Sequence, residues 1–485
     1  MKRLTIMFFI LLPLSVIYAH ENIYVHHLKS NMIPIYEVSP QEVDSFSDMF
    51  LQGIFYGRLR MNSFGFRWDT EVEGKRKNHA IAAVGGSLIY KSAYFHGFAV
   101  TAGLYTSQVK GSLDRHKASL YKAGKDAFSR YDLLTEGERG MTSLAEGYLE
   151  YKHYKSSLKV GRQLFESFLT KSNDTKMIPN AFEGFTLSSK TLPHTHLKMG
   201  YFTKQKLRDH STFHHMLAYG DDPNDPYAQY SQNDDSNMHR GLKQSELQAL
   251  GIDDRLMVFE VENKSVNHLT FHANYTAVPK LLSYMMLQAD YKVDVGDWSV
   301  IPSFRYMKQF DDGAGVIGGA NRKMLSGGYK NPTSLDSTLY AARVDVQKDT
   351  FKLRFGYTDV LDEGDIIAPW RGFPTGGFTR AMGQYNWDAN TKSYMLQMDY
   401  TFESMPDLQI LSRYVVQNFD DNKVGVQADT DVFTLDVAKI FEKKQLYVKT
   451  RYAHVMGKSD TIVGNGVHKA DSSYDEIRVE MNYLF

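Results

Sequence analysis

Lys449 and Arg451 stand two residues apart in LYVKTRYAH (Leu446–His454). In a β-strand, residues two apart share a face, so both cations project from one side and stack along it. The same placement recurs. Arg305, Arg343, Lys352, Arg354, Arg413 and Arg478 each sit on the polar side of an alternating run. Arg413 comes from Leu408–Asn418, which reads as a strand adjacent to Gln445–His454. A row of fixed positive charge against a low-dielectric wall focuses its field and draws anionic groups, and such rows are how pores select. The chemistry is capture of carboxylate-bearing solutes rather than bond breaking. Acidic residues share these faces: Asp345, Asp399, Asp436, Glu476 and Glu480. They offer a second reading, in which ion pairs across a lumen only keep the interior wet.

Other chemistries find less support. Acyl transfer needs a serine or acid held against a histidine. Ser412 and His454 are such residues, but both fall on the apolar side of their runs. His194/His196 and His210/His214/His215 are spaced like metal ligands, with no second cluster to complete a site. Asp221–Asp225 and Asn233–Asp235 offer oxygens to a divalent cation, without the spacing or terminal glutamate of an EF-hand. Gly313–Gly318 matches G-x-G-x-x-G, yet it opens no helix and no βαβ unit surrounds it. No catalytic residue, metal or cofactor is expected. A plugged or structural barrel and an outer-membrane hydrolase stand as the alternatives to a pore.

The elements that carry these residues are strands. In the last one, Ile477, Val479, Met481, Tyr483 and Phe485 alternate with Glu476, Arg478, Glu480 and Asn482, with Leu484 the exception. A strand at the end of a chain exposes an edge unless it is paired on both sides, and a closed barrel removes the edge. With the apolar side outward to lipid and the charged side inward to water, it is the closing stave of a transmembrane barrel. The alternation recurs from Phe50 onward, for example in Phe98–Tyr105, Leu269–Tyr275, Phe351–Tyr357 and Tyr394–Phe402. Runs of about 8–12 residues suffice for a tilted strand to cross a bilayer. Short connections such as Glu403–Asp407 and Glu442–Lys444 alternate with long ones such as Lys110–Thr142, Leu164–Glu183, Asp209–Gly251, Asp311–Leu335 and Asp359–Lys392. Lys110–Thr142 reads as an extracellular loop, and Gly241–Leu250 as a short surface helix. The count is about 16–20 strands, and even.

The balance of the chain agrees. Lys+Arg and Asp+Glu are both 56, so net charge says nothing about partners; no nucleic acid is expected. Thirty-one tyrosines and 29 phenylalanines supply interfacial girdles. There is no cysteine. Lys2-Arg3, the apolar run Ile6–Val16 and Ile17-Tyr18-Ala19 form a secretory leader cleaved after about Ala19. Residues 20–48 follow as a periplasmic arm with little packed structure, and 49–485 as the barrel.

The run LKVGRQLFESFLTKSNDTKMIPNAFEGFTLSSKTLPHTHLKMGYFT (Leu158–Thr203) resembles the OprD-type outer-membrane porins. It has a strand, then a loop with a proline near its end, then a Gly-Phe-x-Leu strand at Gly184, Phe185 and Leu187. Tyr394–Tyr414, Leu446–His454 and the terminal strand carry the likeness further. The resemblance implies an all-β barrel of 18 antiparallel strands, as a monomer or loose homotrimer, passing small carboxylates or amino acids by diffusion. It implies a basic ladder at Arg413, Lys449, Arg451 and Arg354. It implies inward-folded constriction loops at Leu164–Glu183 and Asp359–Lys392, lined by Asn173, Asp174, Lys176, Pro179 and Asp365. A terminal aromatic, Phe485, resembles the signal read by the barrel assembly machinery. The expected surroundings are outer-membrane lipid.

Overall fold

Period-two alternation sends one set of side chains to each face, and the structure puts the apolar set outside. The computed structural model describes residues 26–485 except 112, 123–124, 219, 222–241, 383–384, 442–444, 459–461, 463–467 and 470. The leader, the turn Glu442–Lys444 and most of the acidic loop (Asp222–Asp225, Asn233–Asp235) lie outside the described residues. Among those described, eighteen long antiparallel staves close into a barrel. They are β1 (Ile54–Trp68), β2 (His79–Lys91), β3 (Phe98–Lys110), β4 (Gly140–His153), β5 (Ser156–Gln163) and β6 (Ala181–Ser189). Next come β7 (Thr195–Lys206), β8 (Leu256–Asn263), β9 (Leu269–Val278), β10 (Leu282–Tyr291), β11 (Trp298–Asp311) and β12 (Ser337–Lys348). The last are β13 (Phe351–Val360), β14 (Thr391–Phe402), β15 (Met405–Asn418), β16 (Thr430–Phe441), β17 (Leu446–Gly457) and β18 (Tyr474–Leu484).

Phe55, Leu59, Leu104, Leu149, Phe185, Phe304, Phe355, Leu396, Ile477 and Met481 are all exposed on the outer face. A belt of large apolar groups this extensive marks contact with something other than water. No helix among the described residues is long and apolar enough to cross a membrane. The crossing elements are the staves, whose backbone groups are satisfied by their neighbours.

The barrel closes where β18 pairs with β1, from Tyr474↔Trp68 to Leu484↔Arg58. Phe485 continues the seam: its N–H donates to the Gly57 carbonyl at 3.2 Å, and the Gly57 N–H donates to its carbonyl at 2.9 Å. A Cβ on Gly57 would fall inside van der Waals contact of the Ser87 carbonyl on β2. Gly184 is similar, since a Cβ there would strike the Tyr201 carbonyl at a bulge in the β6–β7 ladder. That close approach is the physical reason for the glycine of Gly-Phe-x-Leu.

Several expectations need correction. Phe50 lies not in a strand but in a short helix, α1 (Phe46–Leu51), capped by Ser45. Stave β8 is invisible in the alternation because Leu256 and Val258, apolar and inward, break it; they are buried under the loops. The connection between β3 and β4 is not without structure. It holds a helix, α2 (Arg130–Glu136), and folds back so that Ala127, Phe128 and Leu133 are buried. The expected surface helix is present as α3 (Gln244–Ala249). Gly313–Gly318, expected to open no helix, contains the one-turn α4 (Ala314–Gly318). The arm before α1 is packed. Its strands His26–Leu28 and Pro34–Tyr36 form a hairpin, with Met32 and Ile33 buried.

The seam yields a test. Overpacking a tight site costs about 1–3 kcal/mol. Gly57→Ala should therefore lower the denaturant midpoint of the barrel, or abolish its compact band on an unheated gel. Parental stability in G57A would mean that the seam has room for a methyl group.

Candidate functional site

Because staves alternate in direction, the long connections all lie at one end of the barrel, where the three-residue β9–β10 connection is the short exception, and the other end has short turns. Two long connections fold inward, the β5–β6 loop (164–180) and the β13–β14 loop (361–390), joined by residues 207–218 from the β7–β8 connection. Apolar side chains from these loops pack on inward-facing ones. Trp370, Ile366 and Ile367 lie with Phe182, Phe202, Met216, Leu217, Tyr284 and Met307 in one buried cluster. The Trp370 indole N–H donates to the Met216 carbonyl at 2.9 Å, and Tyr284 Oη donates to the Ile367 carbonyl at 2.7 Å. The Arg371 guanidinium meets Asp209 at 3.0 Å.

The loops leave two main cavities along the barrel axis. One, of about 390 Å³, faces the long-loop end. The other, of about 480 Å³, lies on the far side. Asn173, Arg371, Phe373 and Gly376 line both, so the two cavities abut at an eyelet built from the two loops. Eight basic side chains line the first cavity against two acidic ones, Asp126 and Glu476. The second is mixed, with Lys171, Arg305 and Arg371 opposite Glu260, Glu262 and His272.

The cations expected from the sequence divide by what they touch. Arg305 is a clamp. It donates to Gln288 Oε1 at 2.9 and 2.7 Å and to the carbonyls of Pro374 and Gly376 at 2.7 and 3.0 Å, and its plane lies near Phe168 and Phe378. Arg343 and Arg354 both reach the Gly377 carbonyl, at 3.0 and 2.9 Å. Arg343 is paired with Asp290 at 2.8 Å, and Arg354 is held by both oxygens of Asp345 at 2.6 Å. Lys352 faces Asp399 at 3.9 Å. The strands of Arg413 and Arg451 are not adjacent: β16 lies between them, and its Asp436 stands opposite Arg451 in register. Asp436 takes Lys449 at 3.1 Å and Arg451 at 2.9 Å. Arg478 takes Glu476 at 2.5 Å. Arg413 differs, since its Nε donates to Gln397 Oε1 at 2.6 Å and among the described residues no carboxylate forms an ion pair with it.

The loop residues divide as well. Asn173 lies at the eyelet with φ 45°, and Lys176 lines the first cavity, 3.8 Å from Asp126. Burial, with Arg478 close by, pushes the Lys176 ammonium down to about 7. Asp174 does not line the constriction. It is buried between Arg58 and Arg60 of β1, and Arg60 also reaches Glu480 of β18 at 2.6 Å. Pro179 is also buried, and its carbonyl accepts from the Lys206 ammonium at 2.7 Å. Asp365 ties two loops together away from the eyelet. It accepts from Tyr329 Oη at 2.6 Å and from the backbone N–H of Ala389 at 2.9 Å and of Arg322 at 3.2 Å. Charges must be paired and hydrogen-bonded to be buried at all, so these acids anchor rather than attract.

The sequence reading misses Arg208, Arg371 and Arg380. They lie in segments without periodicity, so no face can be assigned from the sequence. Arg380 stands out. Its guanidinium packs near Phe373, Tyr385 and Trp387 at 4.6–5.6 Å. Its Nε and Nη1 are buried without a hydrogen-bond partner among the described residues. Burial lowers it to about 10, so it stays charged at neutral pH.

Among the described residues no three or more histidine or acidic side chains gather as a metal site. His210 Nδ1 and His214 Nε2 lie 2.6 Å apart, and His196 meets Ser188 at 2.9 Å. Asp221 binds the backbone N–H and hydroxyl of Ser245. Ser412 and His454 sit on β15 and β17, with β16 between them. His454 pairs with Asp475 at 2.8 Å.

No curated protein matches the sequence. The barrel resembles Pseudomonas aeruginosa OpdK, crystallised with vanillate, at TM-score 0.66 and 15% identity over 89% of this chain and 98% of that one. Acinetobacter baumannii OccAB3 gives 0.67 and 14%, over 89% and 99%. Pseudomonas aeruginosa OccK9 (OpdG) gives 0.66 and 16%, over 90% and 99%. At these identities the likeness is one of fold. The family model described as "outer membrane porin, OprD family" matches residues 66–485. This chain belongs to the OprD family of outer membrane porins.

Proposed function

We propose that this protein is a diffusion channel for small carboxylate-bearing solutes, organic acids or amino acids, guided through the eyelet by unneutralised arginines. Family and fold point to a channel for small solutes in the outer membrane rather than to an enzyme. The carboxylate preference rests on one observation: Arg380 and Arg413 line the same cavity without a carboxylate partner among the described residues. An unpaired cation in a water-poor site gains a charge-assisted hydrogen bond when an anion enters. Phe373 and Tyr385 beside it add aromatic surface. Vanillate, held in the OpdK structure, is an aromatic carboxylate, which suits such a site. Arg451 and Arg478 line the same cavity, but Asp436 and Glu476 reduce their charge, as Asp436 does for Lys449 and Asp399 for Lys352. Arg305, Arg343 and Arg354 set the loop positions.

In this reading the short-turn end faces the periplasm, the leader is removed after about Ala19, and residues 37–48 lie at that rim. The channel works as a monomer or a loose trimer, since each barrel holds its own eyelet. The assembly machinery takes the β18 strand by Phe485. A plugged barrel is the second reading, favoured by the hairpin inside the lumen.

Planar-bilayer recording separates these readings. The channel should show discrete steps with anion bias, blocked by benzoate-type carboxylates. Arg380→Gln with Arg413→Gln should weaken that block about ten-fold or more, the loss of roughly 1.5–3 kcal/mol expected for bonds to a charged group. Cation bias would discard the carboxylate preference, and absence of any step would favour the plug. The Lys176 ammonium, among Asp126, Glu476, Arg208 and Arg478, is charged below about pH 7 and neutral above. Anion bias should therefore fall between pH 6 and 8, and Lys176→Gln should flatten that dependence; an unchanged slope would remove Lys176 from the path. Deleting Phe485 should reduce insertion in cells while refolding into detergent persists. Equal loss in both would make Phe485 a seam residue only.

A further inference from the structure

The hairpin before α1 also lies in the lumen and belongs to neither constriction loop. Lys29 and Ile33 close the hairpin turn, the Lys29 N–H donating to the Ile33 carbonyl at 3.0 Å, and Met32 takes φ 67°. Three contacts hold it inside the barrel. Arg58 Nη1 donates to the Met32 carbonyl at 2.5 Å, and the same guanidinium pairs with Asp174 of the β5–β6 loop. The Asn31 amide donates to Glu166 of that loop. Tyr36 stacks on Tyr56 of β1 with centroids 5.4 Å apart.

The hairpin divides the space below the eyelet. Asn31 lines the 480 Å³ cavity beside Asn173 and Arg371. Lys29, Ile33, Pro34 and Ile35 line another, of about 440 Å³, against the wall side chains Tyr56 and Tyr148. The family match covers residues 66–485 and does not include this segment.

We propose that residues 29–36 are an additional constricting element, set between the eyelet and the short-turn end, with Lys29 and Asn31 as its solute-facing groups. A solute leaving the eyelet meets the Asn31 amide and the Lys29 ammonium before it leaves the barrel. The inference rests on the channel reading, so its test needs one readout that conduction does not supply. The chain has no cysteine, which makes engineered thiols specific. In the full-length protein, Asn31→Cys with Glu166→Cys should form a disulfide, seen as a mobility shift without reductant. In bilayers, Lys29→Cys serves as its own reference, its conductance being read before and after labelling. Modification with a sulfonatoethyl thiol reagent should lower its conductance by about a third or more, and deletion of 26–36 should raise conductance about two-fold. Failure of the disulfide together with unchanged conductance after labelling overturns the proposal, whether or not the deletion variant folds. A disulfide in a protein that never conducts overturns the channel reading instead and confirms that the hairpin sits in the lumen.

Discussion

A strand in lipid has no water for its backbone N–H and C=O groups, so each must be paired by a neighbour. Everything else here depends on the one pairing that joins the ends of the chain, β1 with β18. That seam carries more than backbone bonds. Arg60 of β1 reaches Glu480 of β18, and Arg58 and Arg60 together hold Asp174 of the constriction loop. The acid that fixes the loop is thus neutralised by side chains set on the closing edge. Removing one partner of such a buried network leaves an uncompensated charge, at a cost of about 3–5 kcal/mol. Closure of the wall and docking of the loop are therefore one event energetically.

The lumen is not a water-filled tube lined by a charged row. At the long-loop end it contains an apolar core, with Trp370, Trp387, Phe182 and Phe202 fully buried. The inward loops behave as a small globular domain whose outer layer is the barrel wall. They need wall residues that are apolar on the inside, and Leu256, Val258, Tyr284 and Met307 meet that need. The wall arginines meet a polar need, since Arg305, Arg343 and Arg354 cap carbonyls of Pro374, Gly376 and Gly377 that the loop's own backbone leaves open. A guanidinium suits this task because its planar fork serves two or three acceptors at once. Positive charge on the wall therefore has two uses, holding loops and lining the cavity, and only its contacts tell which.

The division between local and long-range information follows from this. Alternation, aromatic load and loop lengths are local properties, and they sufficed for an outer-membrane barrel; the inward loops in their segments were what the resemblance to the OprD-type porins implied. Every cation read as inward does face inward, because a period of two leaves no freedom once lipid is outside. The sequence by itself could not say which of those cations is neutralised. Asp436 lies between Lys449 and Arg451 through cross-strand register, and Asp174 meets Arg58 from 116 residues away. Arg371 and Arg380 sit in an aperiodic loop where no face exists to be read. The hairpin at residues 26–36 is short and its strands have three residues each, too few to show a period, and only contact with a finished barrel gives it a place. Tertiary structure decided the eyelet, because an eyelet is made where distant segments converge, and convergence is not encoded in the spacing of neighbours.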